Sequence, residues 1–300
     1  MTAIVGLLLF VSIALPLVFI WRLWRLDAPT RLGWLLVVAE TAVFVTLIML
    51  LARWDIAGLW SRAALIGLVA IAALASIRRH AGRPWRLADG LPPWRSRGTQ
   101  FAALALFAPA LIYVVAGLLA RHDPRPLAFP LKGGDFIVAQ GGSAGILNHH
   151  SSHRAQRHAL DITAVGPLGF RAAGILPDDP ARYAVFGKSV ISPCDGTVKA
   201  AVDGLPDLPP PTADRTNPAG NHVVLSCGDI EVELAHLRLG SVAVAAGNQI
   251  RAGEPIGQVG NSGNSTEPHL HIHAIDAESG MGVQMSFEGV VPARNTQFSE

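Results

Sequence analysis

G-N-S-G-N-S-T-E-P-H-L-H-I-H, residues 260–273, joins two kinds of sequence. Its first eight residues are Gly, Asn, Ser, Thr and Glu, the composition of a turn-rich loop. Pro268 then stands where a strand begins without needing the N–H that proline lacks. Residues 269–273 alternate. On a strand successive side chains point to opposite faces, so His269, His271 and His273 share one face while Leu270 and Ile272 pack behind them. Two imidazoles two residues apart can take different parts at one metal, one as a ligand and one as a base for the water being activated. A single histidine is usually structural or solvated. Here nine of the eleven His lie between His149 and His273, three of them in this row, and that density favours metal chemistry.

The sequence around this row reads as all-β. Short apolar runs bounded by Gly, Pro, Asn and Asp recur at 136–139, 183–186, 196–202, 222–225, 230–236, 242–244, 255–259 and 269–274, and no long helix or tandem repeat interrupts them. The Pro- and Asp-rich insert 203–220 reads as a surface loop. Cys194 and Cys227, the only cysteines, each sit at a strand edge. A disulfide and two buried thiols are both open readings, since Cα separation is not legible in sequence.

A catalytic zinc commonly has three protein ligands and an open position. The best carboxylate is Asp161, in the strand-like run R-H-A-L-D-I at 157–162. Several imidazoles compete for the first ligand. His158 is three residues from Asp161 and so on the opposite strand face, whereas His149, His150 and His153 lie in the preceding loop. His236 ends the alternating run E-V-E-L-A-H-L at 231–237.

The other end of the chain has a different solvent. Half of all residues are hydrophobic, and the mean hydropathy of +0.37 reflects an excess confined to the first 120 residues. Apolar runs at 3–21, 32–52 and 99–120 are long enough to cross about 30 Å of hydrocarbon at roughly 1.5 Å per residue. A third span at 63–77 reaches full length only if residues 56–60 join it across Arg62, which would snorkel. The first run has no preceding positive charge and no small-residue cleavage site, so it reads as a retained helix rather than a cleaved signal. Glu40, inside the second span, is expected to face other helices. Arg22, Arg25 and Arg31 crowd the first connection and Arg78, Arg79, Arg83, Arg86, Arg95 and Arg97 the third. The positive-inside rule puts these loops in the cytoplasm and everything after residue 120 outside it. The seven Trp, 21, 24, 34, 54, 60, 85 and 94, fall at expected membrane boundaries, as interfacial anchors do. The organisation expected is four transmembrane helices (1–120), a Pro-rich extended linker (121–134) and an extracytoplasmic all-β domain (135–300). No basic cluster is present in that domain, which excludes nucleic acid as its expected partner.

Five segments together carry a family resemblance. S-P-C-D-G-T-V (192–198), G-N-H-V-V-L (220–225), L-A-H-L (234–237), V-A-A-G-N-Q-I-R-A-G-E-P-I-G-Q-V-G-N-S-G (244–263) and P-H-L-H (268–271) resemble the lysostaphin/LytM-type zinc metallopeptidases, which cut peptide cross-links of peptidoglycan. The resemblance spans roughly 135–292 and does not extend to the membrane half. It implies a mostly antiparallel sheet crossed by a catalytic groove, a Zn2+ cofactor and peptidoglycan peptides as substrate. It also implies His271 and Asp161 as zinc ligands and His269 and His236 as catalytic imidazoles. The common His-x-Gly-x-Asp pattern is missing. A longer form, similar to the LasA type, places the first ligand about a dozen residues before the Asp, and Asn148-His149-His150 fits it. His150 is the first choice, then His149, then His158.

Two other functions compete with a membrane-anchored zinc endopeptidase at the inner membrane. A catalytically silent, wall- or partner-binding relative is disfavoured because Asp161, His236, His269 and His271 are all present. A transporter or sensor is disfavoured because Glu40 and Arg62 are the only ionisable residues within the spans, too few for a transport path. The cross-link cut and the oligomeric state are not legible.

Overall fold

A computed structural model describes residues 2–86 and 97–300. The chain divides into two compact units, Gly6–Ala116 and Gly117–Glu300, the latter with the first few residues.

The helical segments are α1 (Ala3–Arg25), α2 (Arg31–Leu51), the short α3 (Trp54–Ala57), α4 (Leu59–His80) and α5 (Gly98–Leu119). All but α3 are long and apolar enough to cross a membrane. Within α1, Phe10–Ala14 form a π-helical turn just before Pro16. A proline ring and its missing N–H disrupt a regular turn, and a widened turn accommodates both. The third span differs from expectation. Gly58, at φ 91°, separates α3 from α4, so residues 56 and 57 do not extend the span. It gains length at its other end, running through Arg78 and Arg79 to His80. Arg62 lies in the first turn of α4, its guanidinium 6.0 Å from the Trp54 ring. Glu40 is buried and paired with Arg22, as a charge facing other helices must be. Trp54 corrects the reading of the tryptophans as membrane-boundary anchors. It is fully buried and donates its indole N–H to Met49 O at 3.0 Å, whereas Trp21, Trp24, Trp60 and Trp85 are exposed. Trp94 and Arg95 lie outside the described residues.

The second unit is built of strands. In chain order they are β1 (Arg125–Leu127), β2 (Leu131–Lys132), β3 (Asp135–Gln140), β4 (Leu160–Val165), β5 (Ser189–Ile191), β6 (Gly196–Val202) and β7 (Asn221–Cys227). They continue as β8 (Ile230–Leu237), β9 (Gln249–Ile250), β10 (Pro255–Gln258), β11 (Leu270–Asp276), β12 (Gly282–Val283), β13 (Met285–Phe287) and β14 (Gln297–Ser299). The main sheet has the order β14-β3-β4-β11-β8-β7-β6-β9, with β12 beside β11, and all its pairings are antiparallel. A small antiparallel sheet, β10-β5-β2, accompanies it, and the pair β1-β13 is parallel.

Alternation builds the core. Leu160 and Ile162 from β4, Val232 and Leu234 from β8, and Leu270 and Ile272 from β11 enter one apolar cluster, leaving the intervening residues on the other face. Two expected strands are absent. Tyr183 makes one bridge to Ala172 and is followed by turns, and residues 242–244 hold Ala243 N to Ile256 O without a ladder. Residues 121–134 are extended but are not a free spacer. β1 pairs with β13, Leu131 is fully buried, and Phe129 stacks on Phe298 at 4.4 Å inside the core. Cys194 and Cys227 form a disulfide.

Candidate metal centre

The centre lies where β4, β11 and β8 run side by side. In the antiparallel register His271 is directly opposite Asp161 on one side and Ala235 on the other. Directly opposed residues project from the same face, so strand pairing brings the carboxylate and the imidazole together. Asp161 Oδ1 lies 3.0 Å from His271 Nδ1.

His150 reaches the same carboxylate from outside the sheet. It sits in a single 3-10 turn, His149–Ser152, with its Nε2 at 3.1 and 3.2 Å from the two Asp161 oxygens. Asn148 explains how a loop residue is held so closely. Its side-chain oxygen accepts from His150 N–H, capping the turn, and its amide donates to Gly142 O and Ala159 O at the mouth of β4. A fully buried Asn before H-H-S-S is an N-cap signal in the sequence that the histidine count overshadowed.

His236 is oriented by strained backbone. Ile230, Val232 and Leu234 face the core, so alternation would send His236 there too. Instead its φ is +63°, a left-handed conformation that side-chain-bearing residues adopt at a cost of about 1–3 kcal/mol. The pairing with β7 shifts register at the same place, between Asn221 and Val223. The bulge exchanges faces: Leu237 enters the core and the His236 ring turns toward His269 and His271, with centroids at 4.8 and 5.9 Å.

Two glycines let the adjoining loops approach. A Cβ on Gly220 (φ +63°) would stand 2.5 Å from the Ser262 carbonyl carbon, and one on Gly263 (φ +77°) would stand 2.4 Å from Gly220 N. That contact puts Ser262 O 2.9 Å from His236 Nδ1. His269 Nδ1 similarly lies 2.8 Å from Glu267 O. A carbonyl only accepts, so both rings carry a proton on Nδ1 and, when neutral, present a bare Nε2 to the site. For His269 that nitrogen is 3.6 Å from Asp161 Oδ1.

Burial sets the electrostatics. Burial alone would raise the Asp161 carboxyl, yet His269, His150 and His271 around it hold it well below the usual carboxylate range. Burial, with His269 and His271 adding to it, pushes His236 well below an ordinary imidazole. It also lowers His269, against the pull of Asp161, and lowers His149 and His273, the last to about 3.

Of the sequence-derived candidates, the structure gathers His150, Asp161, His271, His269 and His236 at one point. His149 lies beside His150, ring centroids 3.8 Å apart. His158 is elsewhere: its ring packs on His122 at 5.4 Å and burial lowers it to about 4. Two groups, His149-His150-Asp161 and His236-His269-His271, each bring ligand atoms within 4.8 Å of one another. The donor set fits a divalent metal. A buried carboxylate faces imidazole nitrogens at 3.0 to 3.6 Å, and among the described residues no lysine or arginine pairs with it.

Compared with known protein families, residues 182–282 match Peptidase family M23. That match contains His236, His269 and His271, whereas His150 and Asp161 lie ahead of it. The chain is 36% identical over 186 residues to an uncharacterized metalloprotease of Haemophilus influenzae, covering 58% of this chain and 36% of that protein's length. Among solved structures it is similar to a zinc-containing peptidase from Vibrio cholerae, at 18% identity and a TM-score of 0.34 over 53% of this chain and 39% of that one. It is also similar to a putative peptidase M23 from Pseudomonas aeruginosa, at 17% identity and a TM-score of 0.32 over 67% and 62%.

Proposed function

We propose, from the premise that this chain carries a domain of Peptidase family M23, that it is a membrane-anchored zinc endopeptidase acting outside the cytoplasm on peptide cross-links of peptidoglycan. The observation that carries this reading is the convergence of Asp161, His150 and His271 on one point, flanked by two imidazoles whose Nδ1 protons are committed to backbone carbonyls.

His150 Nε2, Asp161 and His271 Nδ1 would hold the metal. Bound there, zinc supplies Lewis-acid activation of water and of the scissile carbonyl. The protein's own part is proton handling. His269 is assigned as the base because its bare Nε2 lies 3.6 Å from the ligand carboxylate without being one of the ligands. It takes the proton of the attacking water and passes it to the leaving amine. His236 stabilises the carbonyl oxyanion as it forms. With its Nδ1–H held by Ser262 O, it can donate from Nε2 only as an imidazolium, which burial opposes until the oxyanion's negative charge develops beside it. Orientation is supported by the Arg-rich first and third connections and by the Cys194–Cys227 disulfide, a bond of oxidising compartments.

The test is digestion of purified peptidoglycan by the zinc-loaded full chain in detergent, with released muropeptides identified by mass. New free amino groups from cross-links, absent with a chelator present, are expected. A chain that binds zinc and cleaves a casein-type protein but no cross-linked wall would refute the substrate assignment.

A further inference from the structure

The row His269, His271, His273 gives two side chains to the proposed chemistry and leaves the third without a part. His273 is buried on β11, on the same face as His271. Its Nδ1 is 3.2 Å from His271 Nε2, while the other nitrogen of His271 faces Asp161 at 3.0 Å. A neutral imidazole carries one proton. A metal takes the lone pair of an unprotonated nitrogen, so binding through Nδ1 leaves the His271 proton on Nε2. A buried N–H left without an acceptor is destabilising.

We infer that His273 is a positioning residue whose Nδ1 accepts the His271 Nε2 proton, fixing the tautomer and ring orientation in which His271 offers Nδ1 to zinc. The inference rests on the proposed metal site. The neighbouring rings show the same device made differently, since His236 and His269 are tied through Nδ1 to backbone carbonyls. Around His271 the β11 backbone is engaged by the ladders to β4 and β8, and the group found within reach of its Nε2 is a side chain. The next residue on the same face, two positions along, supplies it. An imidazole in this place accepts without bringing a second negative charge beside Asp161, where many metal-ligating histidines lean on a carboxylate.

The test is zinc affinity, measured on the full chain in detergent after chelator stripping by titration against a chromophoric zinc chelator. His273→Leu removes the acceptor at similar volume and is expected to weaken zinc binding about 10–100-fold. His273→Gln and His273→Glu keep an acceptor oxygen and are expected to hold zinc within about threefold of wild type, or more tightly for Glu. Wild-type affinity in His273→Leu overturns the inference. So does a loss in His273→Gln and His273→Glu as large as that expected for Leu, which keeps the test decisive if the Leu variant does not fold. A wild-type chain that takes up no zinc overturns the metal reading itself, and is told apart by needing no variant.

Discussion

His269 and His271 are separated by one residue and share a strand face, yet their nitrogens have different neighbours. His271 presents Nδ1 to Asp161, whereas His269 has its Nδ1 tied to Glu267 O and points Nε2 at the site. His271→Ala therefore removes one of three proposed ligands and is expected to lose both zinc and turnover. His269→Ala leaves the ligands in place and is expected to keep zinc while turnover falls by a factor of about 10² to 10⁴. Zinc content and muropeptide release measured on both variants separate the roles, and equal zinc loss in the two would make His269 a ligand. At this scale the row was legible because a period of two needs only the strand to exist. Asp161 stood out as a carboxylate in a strand-like apolar run close to several histidines. His236 was a candidate from its place at the end of an alternating run, but its catalytic role came from the family resemblance, since that run points it into the core and the left-handed backbone that turns it out has no signature in E-V-E-L-A-H-L. His150 could only be ranked ahead of His149, because a loop residue's reach is set by its cap, here Asn148, and not by spacing.

The strands β3, β6, β7, β8, β10 and β11 were legible as elements because each is a short apolar run bounded by turn residues, and each sends side chains into the same cluster. The two- and three-residue strands were not: too short to show a period, they exist because a partner edge is available to pair. The same limit hid β1. Pro124, Pro126 and Pro130 give residues 121–134 the composition of a spacer, but Phe129 between them is only 4% exposed and meets Phe136, Phe287 and Phe298. Cutting the chain at residue 130 thus removes a core aromatic and the β1-β13 pair. The second unit is therefore expected to need its chain from residue 121 onward. A fragment of residues 121–300 is expected to fold without the spans and to unfold cooperatively. A fragment of residues 130–300 is expected to lose about 3–5 kcal/mol, the cost of deleting a buried Phe side chain, lowering its melting temperature by about 10 °C for a unit of this size. Matched calorimetry of the two decides, and equal melting temperatures would return residues 121–129 to the status of a tether.

For the whole molecule, charge asymmetry carries information that neither unit holds alone. Eleven arginines and no lysine stand among the first 120 residues, and they gather at the first and third connections between apolar helices. In the described residues, Arg22 and Arg25 close α1, Arg31 opens α2, and Arg78 and Arg79 end α4. The second connection is poorer in arginine: it has Arg53, which makes two hydrogen bonds at 2.8 and 2.6 Å to the buried Asp55, and Arg62 in the first turn of α4. An excess of arginine near span ends resists translocation, so the first and third connections are expected to stay in the cytoplasm, and an even number of crossings then puts both chain ends outside. The disulfide asks for the same side, since Cys194 and Cys227 would be kept reduced in the cytoplasm. A phosphatase that is active only after export, fused after Glu300, is expected to be active, and a fluorescent protein that matures only in the cytoplasm is expected to be dark at the same position. The two reporters should exchange behaviour when inserted near Gly82, in the third connection. A bright C-terminal fusion would place the second unit with the cytoplasm, remove it from any cross-linked wall, and leave the proposed metal centre to be explained by a different substrate.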